Sequence, residues 1–304
     1  MAGQNFRTFF QFPSLNSVQW YPGHMAKGMH KMQAVLVRCD CVLEVRDARI
    51  PFSSRNEKFS RILAGRPRVL ILNKADLSAK NTRKQIVERL GKHEIIFTNS
   101  AKQYHPSIRQ IIPAALRSMN EHGISSDNKK GFFRIMVIGL PNVGKSSVIN
   151  AIRRIRKNKG NAAHVGGVPG ITRAVQTNIE VCSNPKTFLV DTPGIMPTYV
   201  RDVEVGFKLA LVGTIKDHLI GEEYIADYLL FTLNRQKQFS YVEYFGLDDC
   251  TDDIDQLLVH IGHKMGALRK GGVLDLKQAA TRFLTKFRHG HLGTILLDKI
   301  HKTT

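Results

Sequence analysis

Gly139-Leu-Pro-Asn-Val-Gly144-Lys145-Ser146 sets two glycines, an ammonium and a hydroxyl at the spacing of a phosphate-binding loop. The glycines permit a tight backbone whose amides, together with the N-terminus of a following helix, point at phosphate oxygens. Residues Asn142, Val143, Gly144, Lys145, Ser146 and Ser147 are expected to line the phosphates, with Lys145 reaching the outer ones and the Ser146 hydroxyl placed for Mg²⁺. A second group, Asn73-Lys74-Ala75-Asp76, supplies a carboxylate that can accept both the ring N–H and the exocyclic amino group of guanine. Asn73 would hold the loop and the purine edge, and the Lys74 stem would cover the base. One strand later, the backbone of Ser100-Ala101, followed by Lys102, is the place for the guanine oxygen. Adenine would leave the Asp76 carboxylate desolvated and unpaired, a discrimination of roughly 10⁴ or more. Asp191-Thr-Pro-Gly194 and Thr172 complete the set. Mg²⁺ takes hard oxygen ligands, so Ser146 and Thr172 are expected to bind it directly and Asp191 through a coordinated water, while the Gly194 amide senses the terminal phosphate. Taken alone, Asn-Lys-Ala-Asp is an ordinary surface turn; beside a phosphate loop it is a base-recognition motif.

These side chains need strands to carry them. Ile135–Ile138 is a short apolar run leading directly into the phosphate loop, and Val148, Ile149, Ile152 and Ile155 follow at helical spacing. Upstream, Cys41–Val45 reads as a strand ending in Arg46-Asp47-Ala48-Arg49. Ser54-Arg-Asn-Glu57 then resembles a capping box for a helix that carries Phe59, Ile62 and Leu63 inward and stops at Gly65. A strand over 68–72, a helix over 79–90, a strand over 94–97 and a helix over 106–118 come next, and 120–133 is a polar linker. Segments 177–182 and 187–190 form a hairpin around Ser183-Asn184-Pro185. The alternation predicts an α/β fold with a mostly parallel sheet and helices on both faces. From residue 201 the periodicity is helical, over 203–219, 222–233, 252–265 and 277–287, which predicts a smaller α-helical domain.

The chain has 304 residues, 42% of them hydrophobic, with 45 Lys and Arg against 25 Asp and Glu. A net charge of +20 and a pI near 10.0 put an acidic polymer first among partner classes. Residues 1–200 hold 31 basic and 11 acidic side chains; 201–255 hold 5 and 12; 256–304 hold 9 and 2. A basic tail therefore follows an acidic stretch. The four cysteines, Cys39, Cys41, Cys182 and Cys250, make no metal-binding spacing and point to a reducing compartment. No apolar stretch reaches the ~18 residues of a membrane span. No acidic residue precedes Asp40, and Phe6, Arg7, Phe9, Phe10 and Phe12 lie in the first twelve positions, a composition compatible with an organelle targeting signal.

All the guanine-nucleotide motifs are present, in rotated order: base recognition at 73–76 and 100–102, then the phosphate loop, then Asp191-Thr-Pro-Gly194. With Trp20-Tyr-Pro-Gly-His24-Met-Ala-Lys27 and Asp47-Ala48-Arg49, this resembles the circularly permuted YlqF-related GTPases, in the branch associated with the mitochondrial ribosome. The resemblance covers about residues 18–200 and extends less specifically through Phe283–Gly293. It implies GTP hydrolysis coupled to assembly of the large ribosomal subunit, with rRNA as partner, a mitochondrial matrix location and GTP/GDP and Mg²⁺ as cofactors. Peripheral contact with the inner membrane fits this picture, and an oligomer is not expected. Three parts follow: 1–27, an N-terminal segment with a targeting signal and a motif near the catalytic centre; 28–200, the permuted GTPase domain; 201–304, the helical domain. The position that often carries a water-orienting glutamine is Ile195, which can neither donate nor accept a hydrogen bond. The resemblance offers His24, placed near the nucleotide, and Asn142, which in related GTPases marks a K⁺ site, as replacements beside Lys145. Two rival readings are a signalling GTPase acting through a protein effector and an RNA-binding factor that holds GTP without useful turnover.

Overall fold

Seven consecutive buried residues, Cys41–Asp47 (β1), form the strand around which a six-stranded sheet is assembled. The computed structural model describes residues 6–13, 32–91, 93–102, 105–125, 131–157, 178–192 and 202–300. β1 lies between β2 (Arg68–Asn73) and β4 (Phe133–Gly139), and the full order is β3-β2-β1-β4-β6-β5, with β3 Glu94–Phe97, β5 Asn178–Ser183 and β6 Lys186–Asp191. All neighbours are parallel except the β5–β6 hairpin. A strand covered on both faces must be nearly continuous in apolar side chains, as Val42, Leu43 and Val45 are here; each such buried residue contributes roughly 1.5–3 kcal/mol. On one face, Val42, Met136, Ile138 and Val190 pack with Met32, Val35 and Leu36 of a helical turn and with Phe59 and Leu63. Phe59 comes from the short helix α1 (Glu57–Ile62). α2 (Arg83–Leu90), α3 (Ile108–Glu121) and α4 (Lys145–Lys157) complete the helices of this unit.

The chain runs outward from β1 to β2 to β3, then returns to lay β4 on the other side of β1. That reversal creates a crevice at the carboxyl ends of β1 and β4, the place where open α/β sheets take ligands. The register sets Val45 beside Gly139 and Asp47 beside Asn73, so the residues singled out above emerge together.

The second unit is helical: α5 (Val203–Leu211), α6 (Glu222–Arg235), α7 (Ser240–Phe245), α8 (Ile254–Met265) and α9 (Leu276–Arg288). Asp202, Asp253 and Asp275 cap α5, α8 and α9 by accepting from the amides of Glu204, Gln256 and Gln278 at 2.8, 3.0 and 3.0 Å. Such caps are worth about 1 kcal/mol each. Residues 6–13 belong to this unit: Arg7 pairs with Asp227 at 2.7 Å, and Phe10 and Phe12 pack edge-on or tilted against Phe207, Tyr228 and Phe231. At the other end, Asp298 belongs to the sheet unit, where it accepts from the amides of Phe52 and Ser53 at 2.7 and 2.9 Å. Residues 6–13 thus fold with the helical unit and Asp298 with the sheet unit.

Two local expectations are overturned, and one helix is added. Residues 203–219 do not make one helix: α5 stops at Leu211, and Arg288 takes its last carbonyls, donating to Ala210 O and Leu211 O at 2.8 and 3.0 Å while pairing with Asp217. Ser54 does not cap α1; its buried hydroxyl donates to Ile50 O, and the Asn56 carbonyl receives the Ser60 amide instead. α7 was not anticipated, because six residues are too few to show a period.

Candidate functional site

Gly139 ends β4 against β1 so closely that a Cβ there would lie 2.3 Å from Val45 O, a hard backbone clash. Gly144 is equally constrained: a Cβ would come within 2.2 Å of Asn73 Nδ2. The second glycine is therefore needed for contact with the base-recognition motif as well as for the loop turn. Asn73 fastens both sides of the site, donating from Nδ2 to Val143 O at 2.9 Å and accepting from the Ser100 amide at Oδ1 at 3.1 Å. Lys74 donates from Nζ to Asn142 O at 2.8 Å. Both Lys74 and Asn142 hold φ near +60°, a region costly for side-chain-bearing residues, and such strain is retained where the surroundings fix it. In this way 73–74, 100 and 142–144 form one hydrogen-bonded group despite their separation in sequence. Asn99 Oδ1 accepts from the amides of Ala101 and Lys102 at 3.0 and 3.2 Å, which orders the segment after β3. Asp76, Ala101 and Lys102 are exposed beside this group, and Ser100 is buried within it.

Lys145 is 8% exposed and donates to Leu140 O at 3.0 Å, curling over the loop it follows. Burial depresses its pKa to about 8, against an upward pull from Asp191. The Asp191 carboxyl is raised by burial, opposed by the Lys145 charge and the Thr192 amide. Thr192 Oγ1 donates to Val137 O at 2.6 Å and pins the end of β6 to β4. Asp191 Oδ1 is buried with no hydrogen-bond partner among the described residues. A desolvated orphan carboxylate oxygen at a strand end, with the exposed Ser146 hydroxyl on the neighbouring loop, fits a hydrated divalent cation of the Mg²⁺ type. Ser147 is exposed at the start of α4 and Val143 is buried. His24, Thr172 and Gly194 lie outside the described residues.

Asp47 and Arg49, expected at a strand end and among the carriers of the family resemblance, have a part in the site itself. Arg49 donates to Asp47 through its amide, Nε and Nη2 at 3.0, 2.9 and 2.8 Å, and both side chains are essentially fully buried. Asp47 Oδ2 also lies 3.2 Å from Lys74 Nζ. Burial pushes the Asp47 carboxyl up, but the Arg49 and Lys74 charges outweigh it and hold it at about 2. Lys74 is thus held between a buried carboxylate and the phosphate-loop carbonyl. The sequence signal was available: two charges of opposite sign two residues apart where a strand ends. A second buried pair on β1, Glu44 with Arg46 at 2.6 Å and Arg68 at 3.2 Å, alternates with Val45 and Asp47 and so lies on the opposite face of the strand.

Strand order, crevice and motif geometry define a circularly permuted P-loop GTPase. Residues 134–260 match the family described as 50S ribosome-binding GTPase. That match starts at β4 and leaves out 73–76 and 100–102, which in this chain precede the phosphate loop. Mitochondrial ribosome-associated GTPase 1 of Ictalurus punctatus is 45% identical over 98% of this chain and 97% of its own length. Ribosome biogenesis GTPase A of Bacillus cereus is 32% identical over 92% of this chain and 93% of its own. The fold is similar to that of GNP-bound YlqF from T. maritima, with a TM-score of 0.60 at 22% identity, covering 90% of this chain and 99% of that one. The chain belongs to the mitochondrial ribosome-associated GTPase 1 family and is a GTPase.

Proposed function

We propose that this GTPase works in mitochondria on the large ribosomal subunit during its assembly, contacting rRNA and changing its hold on the subunit with nucleotide state. The observation that carries the nucleotide half of this reading is the joining of base motif to phosphate loop through Asn73, Lys74 and Gly144. The relatives' names and a net charge of +20 support the ribosomal half. In this reading Asp76 pairs with the two guanine donors, Asn73 and the Ser100-Ala101 backbone hold the purine edge, and Lys102 flanks it. Val143, Gly144, Lys145, Ser146 and Ser147 cradle the phosphates. Ser146, Thr172 and, through water, Asp191 would hold Mg²⁺, and Gly194 would read the terminal phosphate. The chemistry that Mg²⁺ held there would supply is neutralisation of phosphate charge. Asn142 would mark a K⁺ site, a role its left-handed backbone supports, and His24 would orient the attacking water that Ile195 cannot. A location in the matrix or at the inner membrane belongs to the same proposal; among the described residues no helix is long and apolar enough to cross a membrane.

Sedimentation with large ribosomal subunits tests the reading. Co-sedimentation with a non-hydrolysable GTP analogue and release with GDP is the expected result. Equal sedimentation in both states, or none in either, refutes it.

A further inference from the structure

Residues 48–54, between β1 and α1, have neither helix nor strand to hold them, yet they brace the base-recognition motif. Ala48, fully buried, is bonded through both of its backbone groups to residues on either side of Asp76: its amide donates to Asn73 O at 2.8 Å, and its carbonyl accepts from Ser78 Oγ at 2.9 Å. The turn continues with Ile50 N donating to Asp47 O at 3.1 Å, Ser54 N donating to Ile50 O at 3.0 Å and Arg46 Nη1 donating to Pro51 O at 2.8 Å. The amides of Phe52 and Ser53 both turn to one acceptor far along the chain, Asp298 Oδ2, at 2.7 and 2.9 Å, while Ser53 Oγ donates to Asp298 Oδ1. Asp298 is 6% exposed and belongs to the same folded unit as the turn. Arg89 of α2 secures the next residue, donating to Lys299 O at 2.7 Å with its guanidinium 4.3 Å from the centre of the Phe52 ring.

A carboxylate that accepts from two successive amides fixes the peptide between them more firmly than a neutral acceptor does. The turn fixed in this way carries Ala48, and Ala48 holds the backbone of 73–78 at both ends. The phosphate loop is fastened by other means, through the side chains of Asn73 and Lys74. Loosening the turn therefore displaces the Asp76 carboxylate before it disturbs the phosphate cradle. We propose that Asp298 is a positioning residue for guanine recognition, bracing through the 48–54 turn the backbone from which Asp76 meets both donors of the base. This rests on the assignment of Asp76 to the guanine edge made above, and it adds the residue that sets the placement of that carboxylate.

The full chain and its Asp298→Ala variant, compared for GDP and IDP affinity by competition against a fluorescent guanine nucleotide, provide the test. Inosine lacks the exocyclic amino group and so offers Asp76 one donor where guanine offers two. The wild type should prefer GDP. The variant should lose about tenfold in GDP affinity, the scale of one hydrogen bond to a charged group, and no more than about threefold in IDP affinity, so that the preference narrows. Asp298→Asn, which keeps an oxygen for the two amides, should restore most of it. If the alanine variant does not fold, Asp298→Ser, too short to serve both amides and Ser53 Oγ, is read in its place against the same expectation. Wild-type GDP affinity and preference in the alanine or serine variant reduces Asp298 to docking its own segment and overturns the positioning role. Equal weakening of GDP and IDP marks a general loosening of the unit and overturns it as well. A wild type that does not distinguish GDP from IDP defeats the guanine reading itself, and the positioning role falls with it.

Discussion

Replacing Asp47 by asparagine removes the one carboxylate that serves both Arg49 and Lys74. At neutral pH the loss can be sized in two ways. Asp47 titrates at about 2 in the folded chain against an ordinary 3.8, and at 1.36 kcal/mol per pKa unit the folded environment favours its ionised form by roughly 2–2.5 kcal/mol. Removing one member of a fully buried ion pair costs about 3–5 kcal/mol, because the partner's charge is left in a dry site; Arg49 is 1% exposed. Asp47→Asn should therefore lower the stability of the sheet unit by about 3 kcal/mol in urea unfolding followed by fluorescence and circular dichroism. The pH dependence carries a sign. A folded-state pKa below the unfolded one means that the stabilisation is fully present above about pH 4 and disappears as the pH falls through about 2. The gap between wild type and variant should thus be constant from pH 5 to 8 and narrow between pH 4 and 2. Function should follow: Lys74 keeps its bond to Asn142 O but loses its second anchor, so GDP release measured by stopped flow should quicken about tenfold. Stability within 0.5 kcal/mol of wild type together with an unchanged release rate would refute the clamp, and a stability gap indifferent to acid would refute its ionic nature.

Asp76→Asn should weaken GTP binding by at least about 10²-fold and improve binding of xanthosine triphosphate, since the acceptor facing the base becomes a donor; an unchanged preference in a competition assay removes Asp76 from base recognition. Lys145, at about 8 in the free protein, should regain its proton beside phosphate, so GTP binding should take up about half a proton at pH 8 and almost none at pH 6.5. Calorimetry in buffers of different ionisation enthalpy reads this directly, and buffer-independent heats at pH 8 contradict it. His24→Ala should leave GTP affinity nearly intact and lower ribosome-stimulated turnover roughly 10²-fold, with a wild-type single-turnover rate on large subunits showing that His24 is structural.

The parallel sheet was readable because strands buried on both faces are continuous in Val, Ile and Leu, and because each one ends in a motif. Cys41–Val45, Arg68–Leu72 and Ile135–Ile138 all lie within the observed strands. What escaped reading depends on partners far away in sequence. Val203–Leu219 looks like one helix until Arg288, 77 residues beyond Leu211, takes the carbonyls at which the helix ends. Ser54 had a plausible local role as a cap, but its burial against Ile50 offered a better acceptor. Asp47 and Arg49 looked like polar punctuation after a strand, since nothing local reveals that Lys74 arrives to complete the pair. In the site, residue types and order were legible, whereas the Asn73–Val143 and Lys74–Asn142 bonds depend on the register of β1, β2 and β4.

Arg7 gives the chain a schedule. Its side-chain partner Asp227 is 220 residues away and Asp252, which accepts from its amide, is 245 away, so Arg7 must wait for segments far along the chain before it finds its place. Contacts of such long range form late, after shorter loops have closed. Until then Phe10 and Phe12 lack the Phe207, Tyr228 and Phe231 rings they will join. Once α6 has formed, the same side chains are withdrawn into the helical unit. A cut beyond Phe12 would strip two rings and a cation from the core that the segment closes, so the helical unit should lose stability when residues 6–12 are removed.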